Sequence, residues 1–391
     1  MIRKLKRVLF ILAQVLLASI SLYVLVISVG ITEIKSVVLQ VPKETFNHRN
    51  VTARQRVIYS WDKDKVRIYQ YSHSTFTGCE YTNCLLNYSS NPEDTKYADV
   101  VLVDFRSFQN IAQLSRLIKQ NTAQDTVWLL DGHESPRYHW FKWRDFFNDF
   151  DGAITYTRDA TVYRPYGRSV QLNSTEVKFK SSYTTKKKTK GAFAYVSNCF
   201  SGGYERLKLM RQLGEYIDVD IYGGCTGRRP CALGDWGCEA RLHAQYHFYL
   251  SWENSLCKDY ITEKFWKVLS TDGYYIPVAL GGLTIEEYTN VAPPNSFLHL
   301  YNFSSVAELG SYMKTLMANR EAFDQYNAWR SSFKIQMYSE IKSCKLCEIA
   351  NNPSKFKRKH SNMAKKFNSP MNCREIPQYQ SFWYSLLNVL L

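Results

Sequence analysis

Apolar residues in this chain fall in short unbroken runs, separated by stretches of helical period. Val57–Tyr59, Asp99–Asp104, Thr126–Leu130 and Gly152–Thr157 read as strands, and IAQLSRLIKQ at 111–120 has helical spacing. Strands alternating with helices predict an α/β layer on a parallel sheet. The pattern lapses over QLNSTEVKFKSSYTTKKKTK (171–190), a polar, basic stretch that reads as a linker. It resumes with a strand at 191–198, a helix at about 204–216, a strand at Asp218–Tyr222 and a cysteine-rich loop at 225–238. Tyr246–Trp252 is an apolar, aromatic run that predicts a buried strand. The turn Glu253-Asn254-Ser255 follows, and then DYITEKFWKVL, where Ile261, Phe265, Val268 and Leu269 recur at helical spacing and Asp259 is placed to cap the first turn. Tyr274–Leu280, ending in Gly281-Gly282, closes a βαβ unit. Ligands of such units sit beyond the carboxyl ends of the strands, with anions at helix N-termini; Glu253, Asn254, Glu263 and Lys264 fall there. SFLHL (296–300) reads as a further strand, and helical spacing runs through 306–329.

At 391 residues about two domains are expected. Residues 8–31 carry no charge over 24 positions, behind the basic start MIRKLKR. At 1.5 Å per residue that run spans about 36 Å, against a hydrocarbon core of roughly 30 Å. It is too long for a signal peptide and lacks an Ala-x-Ala ending. The expectation is a cytoplasmic tail (1–7), a transmembrane signal-anchor (8–31), a stem (32–55) and a luminal body, because basic flanks stay cytoplasmic. Four N-glycosylation sequons, at Asn50, Asn87, Asn173 and Asn302, and ten cysteines agree with a luminal body. The net charge of +15 raises the question of nucleic acid, but no basic run sits on a recognisable nucleic-acid module. KKKTK (186–190) and KFKRKH (355–360) read as solvated loops. Asp218-Val-Asp220 and Asp62-Lys-Asp64 are carboxylate pairs of a kind that binds divalent ions; the first reads better as part of a strand edge. Cys344-Lys-Leu-Cys347 lacks a second pair at zinc-site spacing.

Alone, a Glu/Lys turn before a helix is helix capping and a solvated ion pair. The longer pattern ENSxCxDYITEKxW, followed by a strand with Pro and Gly, resembles the signature of the α1,3-fucosyltransferases. The resemblance covers roughly 57–347 and is strongest over 191–300. It implies two Rossmann-like domains facing across a cleft (GT-B type): an acceptor-side domain at 56–170 and a GDP-fucose-binding domain at 191–347, with a tail at 348–391. It also implies inverting transfer of fucose to N-acetylglucosamine of glycoprotein glycans by a type II Golgi enzyme. Core N-glycan and Lewis-type antennae both stay open as acceptors, and so does a homo-oligomer. No obligatory metal is implied, with Mn²⁺ or Mg²⁺ as stimulators.

Fucosyl transfer needs a base for the acceptor hydroxyl, positive charge against the departing diphosphate and a grip on the nucleotide. In TVWLLDGHESPRYHW, similar to the family's acceptor-side motif, the resemblance makes Glu134 the general base, with His133 as its rival. Tyr156-Thr157-Arg158-Asp159-Ala160-Thr161, followed by Pro165-Tyr166-Gly167, resembles a second block, with Thr161 in place of an acidic residue. On the donor side the resemblance sets Arg206, with Asn198 before it, and Lys264 against the diphosphate, an arrangement suited to phosphate oxygens. It sets Glu263 on the ribose and Asn254 and Tyr260 around the nucleotide, and Tyr222 and Glu253 complete the expected donor set. It further implies that Cys79 and Cys84 bond to Cys344 and Cys347, with a local Cys79–Cys84 loop as the competitor. Trp252, Val268, one extra residue between Gly273 and Pro277, and Asn302 depart from the family pattern. Two rival readings are a transferase for another nucleotide sugar and an inactive, membrane-tethered glycan-binding protein.

Overall fold

A computed structural model describes residues 54–61, 76–88, 95, 97–104, 126–135, 149–173, 188–199, 203–232, 235–341, 343–357 and 373–374. The expected helix at 111–120, the anchor at 8–31, Asn50 and the end SFWYSLLNVLL lie outside these residues. Among the described residues no helix is long and apolar enough to cross a membrane.

Two parallel sheets organise the unit Ala53–Leu391. The first runs β2-β1-β3-β4-β5-β6, from β1 (Arg56–Trp61), β2 (Cys84–Tyr88), β3 (Val100–Asp104), β4 (Val127–Asp131), β5 (Gly152–Thr155) and β6 (Val162–Tyr163). Val100–Val103 and Val127–Leu130 are buried throughout, which explains their unbroken apolar runs. β7 (Gly167–Gln171) leaves this sheet and later pairs, antiparallel, with β14 (Phe333–Met337). The expected linker therefore begins and ends inside strands, because β8 opens at its last residue.

The second sheet runs β13-β12-β10-β8-β9. Its strands are β8 (Lys190–Tyr195), β9 (Val219–Tyr222), β10 (Tyr246–Trp252), β12 (Ile276–Leu280) and β13 (Leu298–His299); the short β11 (Leu256–Cys257) pairs instead with β15 (Cys373–Arg374). Helices α1 (Gly203–Leu213), α2 (Trp236–His243), α3 (Glu263–Ser270) and α4 (Ile285–Thr289) make the crossovers. α3 buries Phe265, Trp266, Val268 and Leu269, each worth about 1.5–3 kcal/mol of transfer free energy. Helical spacing over 306–329 resolves into α5 (Val306–Ala318) and α6 (Arg320–Gln325), joined at Asn319, whose side chain accepts from Ala322 N and caps the second helix.

α7 (Cys344–Asn351) crosses back to the first sheet, where Leu346, Cys347, Ile349 and Ala350 share a core with Ile58, Val100 and Leu102. Disulfides Cys79–Cys344 and Cys84–Cys347 fix it there, the long-range pairing and not the local loop. Cys199–Cys225, Cys231–Cys238 and Cys257–Cys373 use the remaining cysteines.

Two basic residues expected in a solvated loop are structural. Lys188 donates to the carbonyls of Tyr246 and Gly273, both at 2.8 Å, and Lys190 Nζ donates to Asp220 Oδ2 at 3.0 Å. Asp220 does lie on an edge strand. It also accepts from Tyr246 and Arg228. Asn173 and Asn302 are exposed, and Asn87 lies on the edge strand β2.

Candidate active site

From β8 the chain steps outward to β9 and returns on the other side of β8 as β10, so the order in which strands are added reverses between the parallel β8 and β10. A crevice outside the carboxyl ends of two such strands is the general ligand position of open α/β sheets. Arg206 on α1 reaches the carboxyl ends of these two strands. Nη1 donates to Trp252 O at 2.9 Å and Nη2 to Asn198 O at 3.3 Å, joining the ends of β10 and β8. At 2% exposure the guanidinium is a fixed positive charge.

Glu253 follows β10 and is fully buried. Thr262 donates its backbone N–H to Oε1 at 2.7 Å and its hydroxyl to Oε2 at 2.8 Å. Glu253 thus ties the turn to the start of α3 instead of facing the crevice. Burial pushes its carboxyl above the ordinary range, against the pull of Lys264. Lys264 Nζ lies 3.0 Å from Thr262 Oγ1, 3.0 Å from Glu263 Oε1 and 3.6 Å from Glu253 Oε2. Burial alone would lower its ammonium, but Glu253 and Glu263 outweigh that and hold it above its usual value, against a smaller lowering by the Arg206 charge. The two cations therefore share one neighbourhood. The half-exposed Glu263 is held below the usual carboxylate range, because Lys264 overcomes the cost of burial. Asn254 is buried, and its Oδ1 has no hydrogen-bond partner among the described residues. An acceptor without a donor in such a place suits a ligand hydroxyl or amine.

The cap of α3 is Thr262 and not Asp259. Thr262 stands immediately before the first helical turn, the position an N-cap takes, and that signal was available in the sequence. Asp259 adopts φ 59°, a left-handed conformation that Asp tolerates better than most residues. Its carboxylate accepts Arg158 N–H at 3.1 Å and pairs with Arg158 Nε at 3.4 Å, joining the two sheets' loops.

That turn throws Tyr260 across to the first sheet. Its hydroxyl donates to Glu134 Oε2 at 3.4 Å, and its ring lies 4.9 Å from Tyr156 and 6.2 Å from Tyr166. Burial first, and then Tyr166, Glu253 and Glu134, push the Tyr260 phenol far above its usual value. Glu134 follows the carboxyl end of β4, and beside it Ser135 donates to Ser255 Oγ at 2.9 Å. The rival His133 is engaged by Arg164, whose Nε lies 2.9 Å from His133 Nε2 and whose Nη2 bonds Asp131 at 2.6 Å. Thr161 accepts from Ala153 N at 3.2 Å, a structural role that needs no acid. At Gly167 a Cβ would fall 2.5 Å from Trp266, so only glycine lets β7 meet α3.

Of the expected donor set, Asn198, Arg206, Glu253, Asn254, Tyr260, Glu263 and Lys264 thus gather around the ends of β8 and β10. Tyr222 does not join them among the described residues; its hydroxyl lies 2.6 Å from Tyr246 Oη and its ring under Arg228. Ser135, Ser255 and Arg158 stand inside the quoted motifs without an assigned role; the sequence does not show their contacts, because each acts across the two sheets.

The family model "Glycosyltransferase family 10 (fucosyltransferase) C-term" matches residues 185–366, and "Fucosyltransferase, N-terminal" matches 53–167. The chain is 30% identical to Alpha-(1,3)-fucosyltransferase fut-1 of Caenorhabditis elegans over 73% of its own length and 61% of the relative's, so it spans less than two thirds of that protein. It is 32% identical to Alpha-(1,3)-fucosyltransferase 7 of Bos taurus over 64% of its own length and 68% of the relative's. A crystal structure of an alpha1,3-fucosyltransferase aligns over 82% of this chain and 95% of that one, with TM-score 0.50 and 14% identity, a likeness of fold. With both family models matched in order along it, the chain belongs to glycosyltransferase family 10, the fucosyltransferases.

Proposed function

We propose that the chain transfers L-fucose from GDP-fucose, with inversion, in α1,3 linkage to an N-acetylglucosamine of a glycoprotein glycan. Glu134 takes the proton of the 3-hydroxyl, and that oxygen attacks the fucose anomeric carbon. The bond to GDP breaks, and its electron pair leaves on the diphosphate. Lys264 and the buried Arg206 balance the growing negative charge. Glu263 receives the ribose hydroxyls, and Asn254 and Tyr260 frame the nucleotide. Because the two cations supply the positive charge, no divalent ion is required, and a chelator leaves the basal rate standing.

The observation that carries this reading is the contact of Tyr260 with Glu134 Oε2: it brings a carboxylate of the first sheet to the segment leading into Glu263 and Lys264. The acceptor side is then 56–170 and the donor side 191–347. A type II Golgi membrane setting accords with five disulfides and exposed sequons.

The test is Glu134→Gln, assayed by transfer from GDP-fucose to a glycan array alongside GDP titration. The amide still accepts from Tyr260 but takes no proton. Turnover is expected to fall about 10²–10⁴-fold, with GDP affinity near wild type. Retained turnover would remove Glu134 from the role of base. Wild-type chain that binds GDP without transferring fucose would favour a glycan-binding protein instead, and turnover with another nucleotide sugar would replace the donor.

A further inference from the structure

Thr262 stands between a buried anion and the cation assigned to the diphosphate. A hydroxyl has one proton to give and two lone pairs with which to accept. The Thr262 proton goes to Glu253 Oε2 at 2.8 Å, and the backbone N–H goes to Oε1 at 2.7 Å. Glu253 has no solvent-exposed surface, so this pairing sits inside the protein. With its proton committed, Thr262 Oγ1 turns its lone pairs to Lys264, accepting from Nζ at 3.0 Å and from the backbone N–H at 3.4 Å. The buried carboxylate thus sets the polarity of the whole chain of bonds. The other close partner of Lys264, Glu263, is a half-exposed side chain able to swing away; Thr262 is buried and cannot.

We propose that Thr262, oriented by Glu253, is a positioning residue that keeps the Lys264 ammonium aimed at the diphosphate when Glu263 turns to the ribose. The proposal rests on the assignment of Lys264 to the diphosphate. It explains why a carboxylate is kept in a fully buried place with both oxygens on one residue. It also explains why the cap is a hydroxyl: an aspartate would cap the helix as well but would face Glu253 as a like charge.

The test compares Thr262→Val, Thr262→Ser, Lys264→Met and the double variant Thr262→Val/Lys264→Met in the full chain, by steady-state transfer and GDP binding. Thr262→Val is expected to lower kcat about 10–100-fold and to weaken GDP binding several-fold with acceptor KM unchanged, while Thr262→Ser stays within about 2-fold of wild type. In the Lys264→Met background the valine should add less than about 2-fold, because residues acting through one another are not additive. Should Thr262→Val fail to accumulate, Thr262→Gly, an N-cap residue of low cost, carries the same expectation. Near-wild-type turnover in the valine variant, with Lys264→Met crippled, overturns the proposal and leaves the phosphate assignment intact. So does an undiminished valine effect in the Lys264→Met background, which marks Thr262 as a helix cap alone. Wild-type behaviour of Lys264→Met overturns the phosphate assignment and the proposal with it.

Discussion

Asp259 offers a graded test of how the two sheets are joined at the site. Its side chain is 5% exposed, it sits at φ 59°, and it bonds both the backbone and the guanidinium of Arg158. Replacing it with Ala leaves the Arg158 N–H without its acceptor, at about 1–3 kcal/mol. The pair with the half-exposed Arg158 side chain adds about 0.5 kcal/mol, and a left-handed alanine costs about 1 kcal/mol more. Asp259→Ala should therefore lose about 3 kcal/mol. Asp259→Gly forfeits the same bonds but adopts φ 59° without strain, and should lose about 2 kcal/mol. Asp259→Asn keeps an oxygen for Arg158 N–H and tolerates the backbone, and should lose at most about 1 kcal/mol. Denaturant titration gives the order Asn, Gly, Ala. Transfer activity should follow it, because the next residue carries the Tyr260–Glu134 contact. A glycine variant less stable than the alanine variant, or an alanine variant equal to the asparagine one, would refute the reasoning.

The disulfides Cys79–Cys344 and Cys84–Cys347 should prove strongly non-additive. Either one alone closes the long loop, about 5.6 kcal/mol by chain entropy, and the other then closes a ring of about ten residues, about 2.7 kcal/mol. Each single Cys→Ser pair should thus cost about 2.7 kcal/mol and the double removal about 8 kcal/mol; a double loss equal to the sum of the singles would show that the constraint is local. Stability should also fall on acidification from about pH 6.5 to 4. Burial holds His299, and burial with the Lys267 charge holds His243, at about 4 in the folded state, so the stability present above the unfolded value near 6.5 is lost as both are forced to charge. The loss should reach about 3 kcal/mol for the fully buried His299 and less for the partly exposed His243, and melting temperatures that stay flat over that range would contradict it.

Parallel strands buried on both faces were the most legible part of the sequence; Tyr246–Trp252 forms a strand over the whole of its apolar run. Features set by contacts between distant residues were not. The linker reading of 171–190 could not anticipate Lys188 donating to the carbonyls of Tyr246 and Gly273, nor the pairing of β7 with β14. The break at Asn319 was hidden because the helical spacing continues across it. Site residue types were readable as a set, through the DYITEK pattern, but their directions were not. Glu253 points inward because Thr262 supplies two donors, and Tyr222 is drawn to Tyr246 by the cluster around Asp220.

The return of α7 to the first sheet sets a timetable for biosynthesis. At roughly 5–20 residues per second, the 263 residues from Cys84 to Cys347 take about 13–50 s to synthesise. Until that interval ends Ile58, Val100 and Leu102 lack the cover of α7, and Cys79 and Cys84 lack their final partners. The first sheet, made early, is thus sealed only after every strand of the second sheet has been made. Any chain that stops before Cys344 must leave its amino-terminal core open, even though every strand of that sheet has already been made.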